Sequence, residues 1–202
     1  SRYLKPDCAY AVRSSASVED GQQHSFAGQF NTLLNVRGIE NVLVAIEQLL
    51  AGDGSDMLTA YLQQTENQAA DHKLAVIIQE MVTPLISGVA FSTNPVTGLD
   101  EVIVEAVLGS GEKLVQEGQT PYRWVKKWGK WTYQPEQCEI DLALIETISL
   151  QTIKIAKKYR RPVDLEWVFD GKELYWVQLR PITALEGLNI YSNRISREFF
   201  PG

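Results

Sequence analysis

The sequence predicts an α+β fold. Two stretches, residues 38–51 and 141–159, carry apolar side chains at helical spacing. Between residues 74 and 179 most of the remaining chain is short apolar runs separated by Gly, Pro and Asn turn signals. These helical and strand patterns come in separate blocks rather than alternating, which favours antiparallel pairing over a parallel α/β sheet.

The first run, AYAVRSS (9–15), reads as a strand that ends at an arginine and two serines. Residues 16–31 are rich in Ser, Gly and Gln and read mostly as loop, and residues 32–36 as a short strand. GIENVLVAIEQLLA (38–51) places Ile39, Val42, Leu43, Ile46, Leu49 and Leu50 as an amphipathic helix, with Gly52 as its stop. Residues 55–67 are a second helix candidate with Ser55 as N-cap. Strands are expected at 74–81, 87–92 and 101–108, with the turn NPVTG (94–98) between the last two. A hairpin is expected around Gly129, a long helix beginning near Asp141, and a closing hairpin from 163–169 and 174–179.

Composition narrows the class. The 202 residues are 45% hydrophobic and 22% charged, ordinary values for a globular protein. A net charge of −6 disfavours nucleic acid and anionic membranes as partners. No apolar run approaches the roughly 18 residues of a membrane span. Cys8 and Cys138 form no CxxC pair, so reduced thiols and a cytoplasmic location are expected. His24 and His72 lack a second His or Cys at metal-ligand spacing. The chain begins without Met and is expected to be a piece of a longer protein.

The segment PVDLEWVFDGKELYWVQLRPIT (162–183) carries the strongest chemistry. Side chains alternate along a strand. Val163, Leu165, Trp167 and Phe169 therefore share one face, and Asp164 and Glu166 the other. On the second strand Tyr175, Val177 and Leu179 share one face, and Gln178 and Arg180 the other. For the apolar sets to enter one core, odd residues must pair with odd. That calls for a three- or five-residue connection containing Gly171. The same register gathers Asp164, Glu166, Gln178 and Arg180 on one face. Two carboxylates and an amide oxygen suit Mg²⁺, and an arginine suits a phosphate. A solvated face with two cross-strand ion pairs is the alternative. Pro181 holds Arg180 extended, which disfavours a floppy surface arginine.

Two further segments suit a nucleotide. Arg13 ends a strand among small hydroxyl residues, and SFAGQFNT (25–32) follows, with Gly28 for a tight backbone and Thr32 for a phosphate-facing hydroxyl. Neither this loop nor GSGEK (109–113) is a Walker A sequence, and a plain surface loop is the alternative. Gln79-Glu80-Met81-Val82 ends the most apolar strand and is a candidate adenine pocket, or simply a strand end leaving the core.

Together AVRSSASVED (11–20), SFAGQFNT (25–32), IIQEMV (77–82), SGVAFSTNPVTG (87–98), VDLEW (163–167) and VQLRPIT (177–183) resemble the N-terminal nucleotide-binding domain of the phosphoenolpyruvate synthase and pyruvate phosphate dikinase family, phosphoenolpyruvate synthase most of all. Rifampicin phosphotransferase and the glucan dikinases share this domain type. The resemblance implies an ATP-grasp fold with an antiparallel sheet and flanking helices. Residues 1–183 would form that domain with the start of its first lobe truncated, and 184–202 an exit linker. It implies that Arg13 and Arg180 contact phosphates, that Gly28, Gln29 and Thr32 lie in the phosphate-covering loop, and that Gln79, Glu80, Met81 and Val82 contact adenine or ribose. Asp164, Glu166 and Gln178 would organise Mg²⁺. The implied chemistry is cleavage of ATP and transfer to a histidine on a separate phosphohistidine domain, then to pyruvate on a pyruvate-binding domain of the parent chain. A related acceptor, rifampicin or glucan, or a non-catalytic nucleotide-sensing role, are the alternatives. The family's early lysine precedes the AVRSS strand, and Lys5 does not match it.

Overall fold

A computed structural model describes residues 4–16, 32–51, 74–110 and 121–182. The helix expected at 55–67, most of the 16–31 loop with Gly28 and Gln29, and the end of GSGEK lie outside these residues. The chain divides into two compact units, Ser1–Val82 and Thr83–Gly202. Both are α+β, each an antiparallel sheet with one described helix.

In the first unit, β1 (Ala9–Ala16) lies between β2 (Thr32–Arg37) and β3 (Leu74–Glu80). Helix α1 (Ile39–Ala51) packs on one face. Alternation explains which face: Tyr10 and Val12 of β1 meet Val42, Ala45 and Leu49, which recur at helical spacing on α1. The β1–β2 register slips between Tyr10 and Val12, where Asn35 takes a left-handed backbone with φ 59°. The bulge absorbs the extra residues, so Leu33 and Val36 both reach the α1 core.

The second unit is a six-stranded sheet in the order β7-β6-β5-β4-β8-β9. Its strands are β4 (Ile86–Phe91), β5 (Val102–Leu108), β6 (Tyr122–Lys127), β7 (Lys130–Tyr133), β8 (Val163–Phe169) and β9 (Leu174–Pro181). Helix α2 (Leu142–Tyr159) covers one face, burying Ile145 and Ile148 against Ala90, Val104, Trp124, Val163, Leu165 and Trp167. The Asp141 side chain accepts the N–H of Ala143 and starts this helix, as its sequence position suggests. Trp176 of β9 donates its indole N–H to Gln151 of α2 at 2.9 Å, tying the edge strand to the helix. Gly88 sits where a Cβ would lie 1.9 Å from the Glu105 carbonyl and 2.8 Å from the Trp167 ring, so only glycine lets β4 pass beneath that tryptophan. Among the described residues, no helix is long and apolar enough to cross a membrane.

The closing hairpin corrects one expectation. The connection between β8 and β9 is four residues, 170–173, rather than three or five. Asp170 Oδ1 accepts the N–H groups of Lys172 and Glu173 at 2.7 Å each, an Asx turn that closes this length. A four-residue loop pairs Phe169 with Leu174, odd with even, and a bulge beside Glu166 and Trp167 restores even-with-even pairing further out. Tyr175 consequently leaves the core face expected for it. Leu174, Trp176 and Leu179 pack on the core instead, while the Tyr175 hydroxyl donates to Glu173 at 3.1 Å.

Candidate functional site

The open half of the closing hairpin builds a polar face. Beyond the bulge, Asp164 is directly opposite Arg180, and Glu166 directly opposite Gln178. Val163, Leu165 and Trp167 are buried on the α2 side, so alternation puts Asp164 and Glu166 on the other side of the sheet. On β4 the neighbours are Phe91 beside Asp164 and Val89 beside Glu166. The row through Glu166 continues to Glu105 on β5, which pairs with Arg123 on β6 at 3.5 Å.

The electrostatics of this face are unbalanced. Burial, with apolar Phe91 alongside, pushes the Asp164 carboxyl up to about 6; repulsion from Glu166 adds to this and Arg180 opposes it. Asp164 Oδ1 is buried and meets no hydrogen-bonding group. A buried carboxylate oxygen without a donor is costly, and a divalent cation would satisfy it. Among the described residues no three His, Cys, Asp or Glu side chains cluster tightly enough to hold a metal alone. Two carboxylates and the Gln178 amide leave coordination positions for phosphate oxygens and water. That is how Mg²⁺ is commonly held, so the residues fit this ion.

The first unit gathers part of the second candidate set. Arg13 on β1 is directly opposite Thr32 on β2 and Ile77 on β3. Gln79 is opposite Ala11, two residues along β1 from Arg13, so Arg13, Thr32 and Gln79 share the face away from α1. Glu80 does not join them. It is opposite Tyr10, and its carboxylate takes the Lys5 ammonium at 2.9 and 3.1 Å and the Cys8 thiol at 3.3 Å. The Lys5 and Cys8 hydrogen bonds hold the Glu80 carboxyl below its ordinary range. Met81 donates its N–H to the Ala9 carbonyl at 2.8 Å, and its sulfur accepts the N–H of Asn35 at 3.1 Å. Val82 is half-buried. Gly28 and Gln29 lie outside the described residues.

The strand patterns gave no warning of two features. Asn35 in its left-handed bulge is one; a polar residue in a short run carries no mark of a register slip. Ser92 is the other. It reads as the last residue of an expected strand, yet its side-chain oxygen accepts the main-chain N–H of Val163, the residue next to Asp164.

The family model described as pyruvate phosphate dikinase, AMP/ATP-binding domain, matches residues 2–136 and 125–189, and the chain belongs to that family. A probable phosphoenolpyruvate synthase of Archaeoglobus fulgidus is 34% identical over 202 residues, covering 87% of this chain and 27% of that protein. Rifampicin phosphotransferase of Bacillus subtilis is 32% identical over 204 residues, covering 88% and 24%. Phosphoenolpyruvate synthase of Pyrococcus furiosus is 30% identical over 226 residues, covering 92% and 27%. The chain thus spans about a quarter of the length of these curated relatives.

Proposed function

We propose that this chain is the ATP-grasp nucleotide-binding domain of an ATP-dependent dikinase. The observation that carries the reading is the opposed set Asp164–Arg180 and Glu166–Gln178 on one sheet face, with the buried Asp164 oxygen left for a ligand. Asp164, Glu166 and Gln178 hold Mg²⁺, and Arg180 and Arg13 hold phosphate oxygens through their guanidinium forks. Thr32, beside Arg13, donates its hydroxyl to the phosphates, and Gly28 and Gln29 belong to the same covering loop. Gln79, Glu80, Met81 and Val82 take the adenine and ribose end; Glu80 contributes main-chain groups there, since its carboxylate is engaged by Lys5.

The chemistry asked of these residues is positioning and charge neutralisation. Bound Mg²⁺ supplies charge neutralisation at the polyphosphate. Arg13 and Arg180 orient the phosphoryl groups for attack and stabilise the charge that develops on their oxygens. One phosphoryl group goes to a histidine of another domain and then to pyruvate, giving phosphoenolpyruvate; the other goes to water. Incubating the intact protein with ATP, Mg²⁺ and pyruvate tests this. The expected products are AMP, phosphate and phosphoenolpyruvate, with an acid-labile phosphohistidine when pyruvate is withheld. ADP as the only nucleotide product would contradict a dikinase. AMP release that requires an acceptor other than pyruvate would move the protein among its rifampicin-type relatives.

A further inference from the structure

The SGVAFSTNPVTG segment (87–98) is one of the motifs that carry the family resemblance, and none of its residues is among the proposed nucleotide, phosphate or metal contacts. Strand β4 ends at Phe91, and the chain then turns away through NPVTG. That turn is internally fixed. Asn94, 7% exposed, accepts the N–H groups of Val96 at 3.0 Å and Thr97 at 3.2 Å through Oδ1. Its own N–H donates to the Leu99 carbonyl at 3.0 Å, and its carbonyl accepts from Gly98 at 2.8 Å.

Ser92 joins this turn to β8. Its N–H donates to the Val163 carbonyl at 3.0 Å, and its Oγ accepts the Val163 N–H at 2.8 Å. In a continuing ladder the Ser92 carbonyl would take that N–H; here the side chain replaces it. Both main-chain polar groups of Val163 are thereby engaged by one residue. On its other side Val163 lies opposite Pro181, where the ladder bond runs between the flanking residues, from the Ile182 N–H to the Pro162 carbonyl at 3.1 Å. Val163 is fully buried and Ser92 is 8% exposed, so water does not substitute. The next residue along β8 is Asp164.

We propose that Ser92 is a positioning residue for Asp164, fixing the start of β8 so that the Asp164 carboxylate faces the metal and phosphate side of the site. This rests on the reading of Asp164 as a Mg²⁺ ligand. Residues that orient a metal ligand without touching the metal commonly change metal affinity by about 10–100-fold when lost. A role confined to folding would lower stability and leave the metal requirement alone.

The test compares wild type, Ser92→Ala and Ser92→Thr in the full chain. ATP binding is followed by calorimetry as Mg²⁺ is titrated, and melting temperature is recorded without nucleotide. Ser92→Ala should raise the Mg²⁺ concentration for half-maximal binding about tenfold, the low end of that range. Ser92→Thr keeps the oxygen and should stay within about twofold of wild type, because the acceptor is retained. If Ser92→Ala does not fold, Ser92→Cys, with a weaker acceptor of similar size, carries the same comparison. A lower melting temperature with an unchanged Mg²⁺ requirement would overturn the positioning role alone. Absence of Mg²⁺-dependent ATP binding in the wild type would overturn the functional reading as well.

Discussion

Asp164 and Arg180 stand directly opposite each other on β8 and β9, yet the buried Oδ1 of Asp164 meets no hydrogen-bonding group. A binding site is expected to look like this before its ligand arrives. On the proposed reading, the carboxylate is held in a costly environment because it serves a cation rather than the fold.

Replacing that charge should therefore separate stability from binding. Asp164→Asn removes the desolvated charge and its repulsion with Glu166 while keeping the shape. The variant should melt at a higher temperature than wild type at neutral pH without ligand, and should lose Mg²⁺-dependent ATP binding by at least about tenfold. Thermal melting and calorimetry check the two halves. A variant less stable than wild type would mean that the Asp164 charge supports the fold.

Arg160 follows the last turn of α2 in a left-handed conformation, φ 59° and ψ 28°. Glycine adopts this backbone without the steric cost of a Cβ. Arg160→Gly should stabilise the chain by about 1 kcal/mol, seen as a rise in melting temperature of a few degrees. An unchanged or lower value would show that the arginine side chain offsets the strain.

Gly88 makes the opposite prediction. An alanine methyl there collides with main chain at Glu105 as well as the Trp167 ring, and the main chain cannot rotate aside. Gly88→Ala should destabilise by several kcal/mol, on the order of 3 or more, by overpacking. Denaturant unfolding measures it, and a loss below about 1 kcal/mol would mean that β4 and β5 separate readily.

Glu101 gives the pH dependence. Its carboxyl is held below the ordinary 4.5, first by the Lys127 hydrogen bond at 2.8 Å and then by Asn94 at 3.0 Å. A depressed carboxyl stabilises the fold above its unfolded value and loses that contribution as pH falls through the folded value. Wild type should exceed Glu101→Gln by about 1 kcal/mol at pH 7. The gap should close as melting is followed below pH 4.5. A gap independent of pH would remove the ionic contribution.

Much of this architecture was legible in the sequence, and the reasons are local. Val163, Leu165 and Trp167 alternate strictly with Asp164 and Glu166, so the polar face could be assembled from spacing, and the outer pairs of the hairpin match it. The inner half could not. Tyr175, Trp176 and Val177 are three large apolar residues in a row, and such a run does not say which of them turns away at a bulge. The apposition of Gly88 with Trp167 and of Ser92 with Val163 joins residues more than seventy positions apart, which periodicity does not reach. In the first unit the Arg13–Thr32 apposition was not read from spacing, because residues 17–31 separate the two strands and fix no register by their length.

The most direct test is a calorimetric titration of ATP with Mg²⁺ into wild type, Glu166→Ala and Arg180→Ala, with melting curves as a folding control. The account predicts Mg²⁺-dependent binding to wild type and a loss of at least about tenfold in both folded variants, the scale of a lost ligand or charged phosphate contact. Equal binding by all three proteins would contradict it.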